Sequence, residues 1–153
     1  MFNATVDLSE FRKERSRTGR ELRAGVVRAV RSAADAGVAE AKRVGSWKDR
    51  TGATRSGIHA TEPRSSGDGA SADMVSPAAH SSFLESGTRP HIITARRAKF
   101  LRFTVGGNII FARRVRHPGT RAYAFMGPAY IKAEASLRMH LEALTVRVGK
   151  LWN

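Results

Sequence analysis

Hydrophobic residues in the first third of the chain recur at helical spacing. The positions that share one stripe are Leu8, Phe11, Leu22, Val26, Val30, Ala33, Val38, Ala41 and Val44. Asp7 and Glu10 resemble a capping box at the start, and Gly45 is a suitable stop. We therefore predict a long helix over residues 7–45. At about 1.5 Å per residue it would exceed the width of a small domain, so we expect it to kink or to pack partly on another copy.

The pattern changes to strand alternation near the middle of the chain. Residues 100–105 and 109–115 are rich in aromatic and β-branched side chains, and the segment Gly106-Gly107-Asn108 separates them. This arrangement predicts a β-hairpin over residues 100–115, with arginines along one edge. Weaker alternation over residues 56–61 predicts a short strand with Met74 and Val75 as its partner. Residues 64–73, dominated by Gly, Ser and Asp, are interpreted as an exposed loop.

The last segment again has a helical pattern. Its apolar positions, spaced by four, three, four and three residues, are Leu137, Leu141, Leu144, Val148 and Leu151. Pro128 suits a first helical turn, so we predict a helix over residues 128–149. We expect this helix to cover the sheet. The predicted fold is α+β: a small, mainly antiparallel sheet with a long N-terminal helix and a C-terminal helix packed on it.

Length and composition set the broad class. The 153 residues correspond to one domain, 1–153, and the absence of cysteine excludes a disulfide framework and thiolate chemistry. No apolar run approaches the ~20 residues of a membrane span, so no membrane partner is expected. The net charge of +14 is concentrated in one region. No carboxylate occurs between Ser86 and Ala133, where the basic residues are Arg89, Arg96, Arg97, Lys99, Arg102, Arg113, Arg114, Arg116, Arg121 and Lys132.

The sequence does not indicate an enzyme. The five histidines lack the pair spacing of a metal site, and no serine lies in a Gly-x-Ser-x-Gly elbow. The glycines 106 and 107 follow a predicted strand but do not lead into a helix, so no phosphate-cradling loop is predicted. We therefore expect no catalytic residue, no cofactor and no metal.

The basic tract leaves several interpretations open. It is typical of a surface that attracts a polyanion or a carboxylate-rich partner, and equally of a solvated basic face. Nonspecific nucleic-acid binding is the main alternative, although no helix-turn-helix, zinc-finger or aromatic RNA-binding motif is present. A small ribonuclease-type toxin using His117 and Glu85 is suggested only by size and basicity.

Three segments, taken in order, resemble one known family. They are residues 50–56 (RTGATRS), 79–90 (AHSSFLESGTRP) and 115–120 (VRHPGT), the last continuing through Tyr123, Phe125 and Pro128. Together they are similar to the tail-completion, or head–tail joining, neck proteins of long-tailed bacteriophages. The family has an Arg-x-Gly turn after the first helix, a segment ending in Leu-Glu-x-Gly-Thr, and a Pro-Phe-x-x-Pro-Ala-like segment before the last helix. This chain has Ala124 where the family has a Pro before the Phe.

The resemblance implies a virion structural protein at the head–tail interface, assembled in the host cytoplasm. Its partners would be copies of itself in a closed ring, commonly six, the adjoining connector and tail-terminator or tail-tube proteins, and genome DNA in the lumen. The motif residues are expected to be structural: Arg50, Gly52, Glu85, Gly87, His117, Pro118, Gly119 and Phe125. Gly52 and Gly87 suit positive φ, Glu85 could pair with Arg89, and Phe125 could fill the core. The candidate contacts to partner proteins or to the DNA channel are Arg96, Arg97, Lys99, Arg102, Arg113, Arg114 and Arg116.

Overall fold

The computed structural model describes residues 9–67 and 69–150 and has an α+β fold. The helices are α1 (Ser9–Val44), α2 (Ala53–Gly57), α3 (Ser81–Ser86) and α4 (Met126–Gly149). The strands are β1 (His59–Ala60), β2 (Arg64–Ser66), β3 (Gly69–Ser71), β4 (Met74–Val75), β5 (His91–Thr94), β6 (Leu101–Val105), β7 (Asn108–Ala112) and β8 (Arg114–His117). All strand pairs are antiparallel and form two-stranded sheets. Asp7 and Leu8 of the predicted first helix, and Leu151 of the last stripe, lie outside the described residues.

The described chain divides into two compact units, whereas the sequence analysis treated it as one domain. The helical unit contains the residues up to Ala78 and those from Phe125 onward, and the ribbon unit is the segment Ala79–Ala124. The ribbon unit is therefore inserted into the sequence of the helical unit.

The helical unit is built on α1 and α4, which pack side by side. The two helices run antiparallel, since Gly25 of α1 lies beside Leu144 while Gly37 lies beside Ala129 and Ala133. The C-terminal helix makes its main contact with α1 and a smaller one with the short sheets. A two-stranded sheet is too small to cover a 24-residue helix, whereas α1 offers a face along its whole length.

The buried face of α1 is made of small residues. Every fourth position is buried, and the residues are Gly25, Ala29, Ala33, Gly37, Ala41 and, just beyond the helix end, Gly45. The predicted stripe of larger residues is displaced from this face: Val26, Val30 and Val38 are only half-buried and Leu22 is exposed. Small side chains let the two helix backbones approach closely. The helix continues through Gly19, Gly25 and Gly37 without a break.

Two short sheets complete the helical unit. β1 pairs with β4 through His59↔Val75 and Ala60↔Met74, which confirms the predicted partner of the short strand. The strand itself is shorter than predicted because residues 53–57 form α2. The predicted loop over residues 64–73 is instead a hairpin of β2 and β3, mostly exposed as expected. Its serines and glycines conceal the strand pattern, and Gly67 takes the positive φ of 55° that its turn requires.

An aromatic cluster closes one end of the helical unit. Phe125 is 1% exposed, and its ring lies 4.8 Å from that of buried Trp47. The Arg55 guanidinium lies 4.8 Å from the Trp47 ring. It donates hydrogen bonds to the carbonyl oxygens of Lys42 and Gly45, the latter at 2.7 Å. These carbonyls belong to the C-terminal end of α1, so Arg55 caps that helix with a positive charge where the helix dipole is negative.

Candidate interaction surface on the basic ribbon

The predicted hairpin is the outer part of a longer two-stranded structure. β6 pairs with β7 from Leu101↔Ala112 to Val105↔Asn108, and Gly106 and Gly107 form the turn with φ values of 55° and 86°. Two successive residues at positive φ are typical of a type I′ hairpin turn. The predicted pairing is confirmed as far as Ala112, but Val115 belongs to β8, which pairs with β5 from His91↔His117 to Thr94↔Arg114. We call residues 91–117 the basic ribbon.

The two strand pairs are joined asymmetrically. Arg113 alone separates β7 from β8, whereas residues 95–100 separate β5 from β6. The amide of Ala95 still donates to the carbonyl of Arg113 at 3.0 Å, so the remaining residues form a bulge on one side of the ribbon. The structure places three of the predicted contact residues, Arg96, Arg97 and Lys99, in this bulge, where all are exposed.

The other predicted contact residues follow the strands. Arg114 and Arg116 share one face of β8, across from Thr94 and Ile92 respectively, and Arg113 lies at the junction. Arg102 lies on β6 across from Phe111, on the outer hairpin. The structure thus brings six of the seven predicted cations to the bulge and the adjoining strand β8, and leaves Arg102 apart from them along the ribbon.

The ribbon unit has many more basic than acidic residues. Residues 79–124 contain nine Lys or Arg and one Glu, a formal net charge of +8. Ion pairs between described residues occur in the helical unit, for example Arg17–Glu21 and Arg43–Glu40. No ion pair involves a cation of the ribbon unit within the part of the chain that the structure describes. The field of these charges is therefore directed at solvent.

Phe100 organises two of the cations at the bulge. The Lys99 ammonium lies 6.0 Å from the centre of the Phe100 ring, and the Arg113 guanidinium lies 5.7 Å from it. Both separations are within the range of cation–π attraction. The ring itself is exposed. Two like charges are thus held around one accessible aromatic ring, a feature that the charge pattern alone did not reveal.

Large apolar side chains are exposed along the same ribbon. They are Ile92, Ile93, Phe100, Val105, Ile109, Ile110 and Phe111. On the outer hairpin, the register puts Phe111 and Ile109 on the face of Arg102 and Thr104. This face is the more open one, because Leu101 and Phe103 on the opposite face are half-buried. The ribbon is therefore cationic and apolar at once.

Two of the three motif segments meet at the base of the ribbon. Thr88 and Thr120 form an antiparallel bridge. The Thr88 amide donates to the Thr120 carbonyl at 2.8 Å, and the Thr120 amide donates to the Thr88 carbonyl at 3.1 Å. Gly87 and Gly119, with φ of 72° and 92°, flank this bridge. A Cβ on Gly87 would lie 2.5 Å from the Thr120 carbonyl oxygen, so both the conformation and the close strand approach require glycine.

The remaining motif residues hold the same turn together. The Gly119 amide donates to Nδ1 of His117 at 3.1 Å, beside Pro118. The His117 ring lies 5.0 Å from that of His91 across the ribbon. Glu85 accepts the Ala124 amide through its backbone carbonyl at 3.3 Å. Ala124 has a φ of 46°, a value that the ring of a proline forbids, so a proline could not replace it in this conformation.

The first motif segment lies in the helical unit. Gly52 has the expected positive φ of 74° at the start of α2, and Arg50 is exposed. The backbone amide of Arg55 donates to the Asp49 carboxylate at 2.8 Å. The sequence prediction included Arg50 and missed the capping role of Arg55, which lies 10 residues beyond Gly45 and therefore outside any local capping pattern.

Two kinds of site were sought among the described residues. No group of three or more His, Cys, Asp or Glu side chains within residues 9–67 and 69–150 is placed to hold a metal ion. Among the same residues no helix has the length and apolar content of a bilayer span. Comparison with protein-family models, characterised proteins and solved structures returns no match to this chain. The features that bear on function are therefore the basic ribbon and the three motif segments.

Proposed function

We propose that this chain is a structural protein of the bacteriophage neck, which forms a ring that joins the DNA-filled head to the tail and lets genome DNA pass. The observation that carries the proposal is the basic ribbon, whose cations form no ion pair with the described residues and whose large apolar side chains those residues leave exposed. A two-stranded ribbon is marginally stable by itself. A surface of this kind gains its burial and its counter-charges from another molecule.

The mixture of apolar and cationic side chains favours a protein partner over DNA. Contact with a phosphate backbone requires cations but would not bury the exposed side chains of Ile92, Ile109 and Phe111. A protein interface uses both, because apolar groups lose water at its centre while charged groups select the partner. The bulge cations and those of β8 would meet carboxylates on the adjoining connector or tail protein. A minority facing the lumen would hold DNA loosely.

The motif segments support the same proposal. Their glycines Gly52, Gly87 and Gly119 have positive φ, at the start of α2 and at the base of the ribbon, and so suit fixed turns. In a neck ring, these turns would hold the two strands of the ribbon together for docking. The protein would act by interlocking with the rings on either side, without turnover of a substrate.

Charge reversal at the bulge tests the proposal. The triple variant Arg96→Glu, Arg97→Glu and Lys99→Glu should fold with an unchanged melting temperature, since all three side chains are exposed. Supplied to a phage lacking its own copy, it should leave unjoined heads and tails in electron micrographs. A matched control reverses three exposed arginines of α1, Arg15, Arg20 and Arg28, with the same change in net charge. Equal joining by both variants would contradict the proposal.

One observation favours the alternative of nonspecific nucleic-acid binding. The exposed Phe100 ring with Lys99 and Arg113 beside it is an arrangement that could stack a base and contact its phosphate. A salt titration of DNA binding separates the two proposals. If the free protein binds DNA tightly at physiological salt, with a slope that corresponds to several phosphates, the alternative is correct. Weak binding, lost by about 0.15 M salt, supports the neck proposal.

A further inference from the structure

The large apolar side chains that the described chain exposes fall mainly on two surfaces. Seven of the thirteen lie on the basic ribbon, and four lie on α4. The four on α4 are Tyr130, Ile131, Met139 and Val146. A single folded chain has little reason to expose two separate apolar surfaces of this size.

The surface on α4 is a groove along the face turned away from α1. Ile131, Ala135 and Met139 follow one another at intervals of four residues, while Ala129, Ala133 and Leu144 face α1. Ile131 is 71% exposed and Met139 is 59% exposed. The groove has a volume of about 400 Å³ and is lined by Ile131, Glu134, Ala135, Arg138, Met139 and Glu142. A helix that is apolar on two faces is typical of one that is covered on both.

The charges around this groove are mainly acidic. Glu134 pairs with Arg138 at 3.2 Å. Glu142, by contrast, is exposed and forms no ion pair with any residue that the structure describes. The groove therefore offers one uncompensated carboxylate beside apolar side chains.

The open face of the outer hairpin has the complementary composition. Phe111, 63% exposed, and Ile109, 52% exposed, lie across from Arg102 and Thr104. Arg102 is the charged residue of the hairpin strands β6 and β7, and it stands next to the aromatic ring in the register. An apolar side chain flanked by a cation matches an apolar groove flanked by a carboxylate.

We infer that the outer hairpin of one copy docks in the α4 groove of the next copy, with Phe111 between Ile131 and Met139 and with Arg102 beside Glu142. This inference rests on the proposed ring and names the contact that closes it. A ring requires two different surfaces that meet head to tail, whereas one surface that pairs with itself stops at a dimer. Self-pairing of the hairpin is also opposed by charge, since it would bring the cations of two ribbons together.

Cross-linking between copies tests this contact directly, because the natural chain has no cysteine. Two preparations, one with Phe111→Cys and one with Met139→Cys, are mixed and oxidised or treated with a short bis-maleimide. Each preparation alone should give little product, whereas the mixture should give a covalent dimer. The double variant in one chain should give a ladder that ends at the copy number of the ring.

The matched control moves the cysteine by one residue. Ile110 is also exposed but lies on the opposite face of β7, so Ile110→Cys mixed with Met139→Cys should cross-link at least tenfold more slowly. Equal rates for positions 110 and 111 would overturn the inference. Cross-linking of Met139→Cys alone would overturn it as well, because it would show that α4 pairs with itself.

A charge exchange provides a second readout that does not depend on cysteine chemistry. Arg102→Glu or Glu142→Arg alone should weaken self-association about tenfold in sedimentation experiments, and the two changes together should restore it. If both single variants and the double variant associate like the parent, the assigned contact is wrong.

The outcome also separates this inference from the proposed function. An oligomer of the parent chain that fails both tests removes the hairpin-to-α4 contact and leaves the ring proposal standing. If the parent chain is monomeric at every concentration tested and also on the phage particle, both the hairpin-to-α4 contact and the ring proposal are wrong.

Discussion

The helical unit and the ribbon unit use their apolar residues in opposite ways. In the described chain, all the buried hydrophobic residues lie in the helical unit: Ala29, Ala33, Ala34, Ala41, Trp47, Ile58, Phe125 and Ala129. The ribbon unit has none of these, although it contains isoleucines, valines and phenylalanines in its strands. From the large apolar residues of its strands alone, the ribbon unit would be expected to contain buried hydrophobic residues.

The difference shows that burial depends on what a side chain can pack against. Small residues on α1 bury completely because a second helix lies on them, and the larger residues of the ribbon stay exposed because a second layer is missing from the described chain. The core between α1 and α4 is therefore buried within one copy. The ribbon unit is held by backbone hydrogen bonds, and most of its large apolar side chains are exposed.

The largest expected contrast comes from the same substitution in the two units. Phe125→Ala removes a buried ring that touches Trp47 and should lower the free energy of unfolding by about 3–5 kcal/mol. Phe111→Ala removes an exposed ring and should change it by less than about 0.5 kcal/mol, while it weakens assembly. Urea unfolding of both variants measures the difference. Equal destabilisation would show that the ribbon has a core of its own.

Arginine substitutions should give a smaller contrast of the same kind. Arg55→Ala leaves the last carbonyls of α1 without their charged donor, and we expect a loss of about 1.5–3 kcal/mol. Arg113→Ala should leave thermal stability unchanged, since its contact with Phe100 is exposed. Differential scanning calorimetry distinguishes the two, and Arg55→Lys should recover only part of the loss because lysine lacks the planar fork. A neutral Arg55→Ala would contradict the capping role.

The small-residue face of α1 gives the next effect. A Cβ at Gly37 would contact Met74 Sδ and lie 3.0 Å from both the Ala129 carbonyl oxygen and Ala133 Cβ. Gly37→Ala should therefore destabilise by about 1–3 kcal/mol, although alanine favours helix. Gly127→Ala in α4 is the control, because its Cβ would meet nothing within 4 Å. The control should be neutral or slightly stabilising in the same denaturation experiment, and a stabilised Gly37→Ala would refute close helix packing.

The smallest effect concerns an ion pair on α1. A hydrogen bond from Arg43 holds the pKa of Glu40 below its ordinary value. Because the folded state binds this proton less readily than the unfolded state, the contribution of the pair is present at neutral pH and is lost as the pH falls through the folded pKa. Glu40→Gln should thus melt slightly below the parent near pH 7, and the gap should narrow toward about pH 4. A gap that widens on acidification would contradict this sign.

The sequence predicted those parts of the fold in which large apolar residues repeat. The periodicity in residues 8–44 and 137–151 located both long helices, and the strands around Gly106 and Gly107 located the outer hairpin. The sequence did not identify which face of α1 is buried, because glycine and alanine carry little hydrophobic signal. The spacing of four from Gly25 to Gly45 was the signal that could have revealed it.

The sequence predicted which cations lie on the ribbon, but it predicted only part of their spatial arrangement. The absence of carboxylates identified the cations of the ribbon, yet it could not show that Arg96, Arg97 and Lys99 share a bulge or that Phe100 lies between Lys99 and Arg113. Those features depend on the bulge, in which residues 95–100 between β5 and β6 lie opposite the single residue Arg113 between β7 and β8. Nor could periodicity show that α4 has a second apolar face, since Ile131 and Met139 are recognised as exposed only once α1 is in place.

Hydrogen exchange measured by mass spectrometry tests the central claim, that the basic ribbon is an assembly surface, most directly. The full chain is compared free in solution and incorporated in purified phage necks. The account predicts strong additional protection in residues 91–117 on assembly, with little change in α1 between Gly25 and Ala41, which is already buried in one copy. A ribbon that exchanges equally fast in both states, with protection appearing elsewhere, would contradict the account.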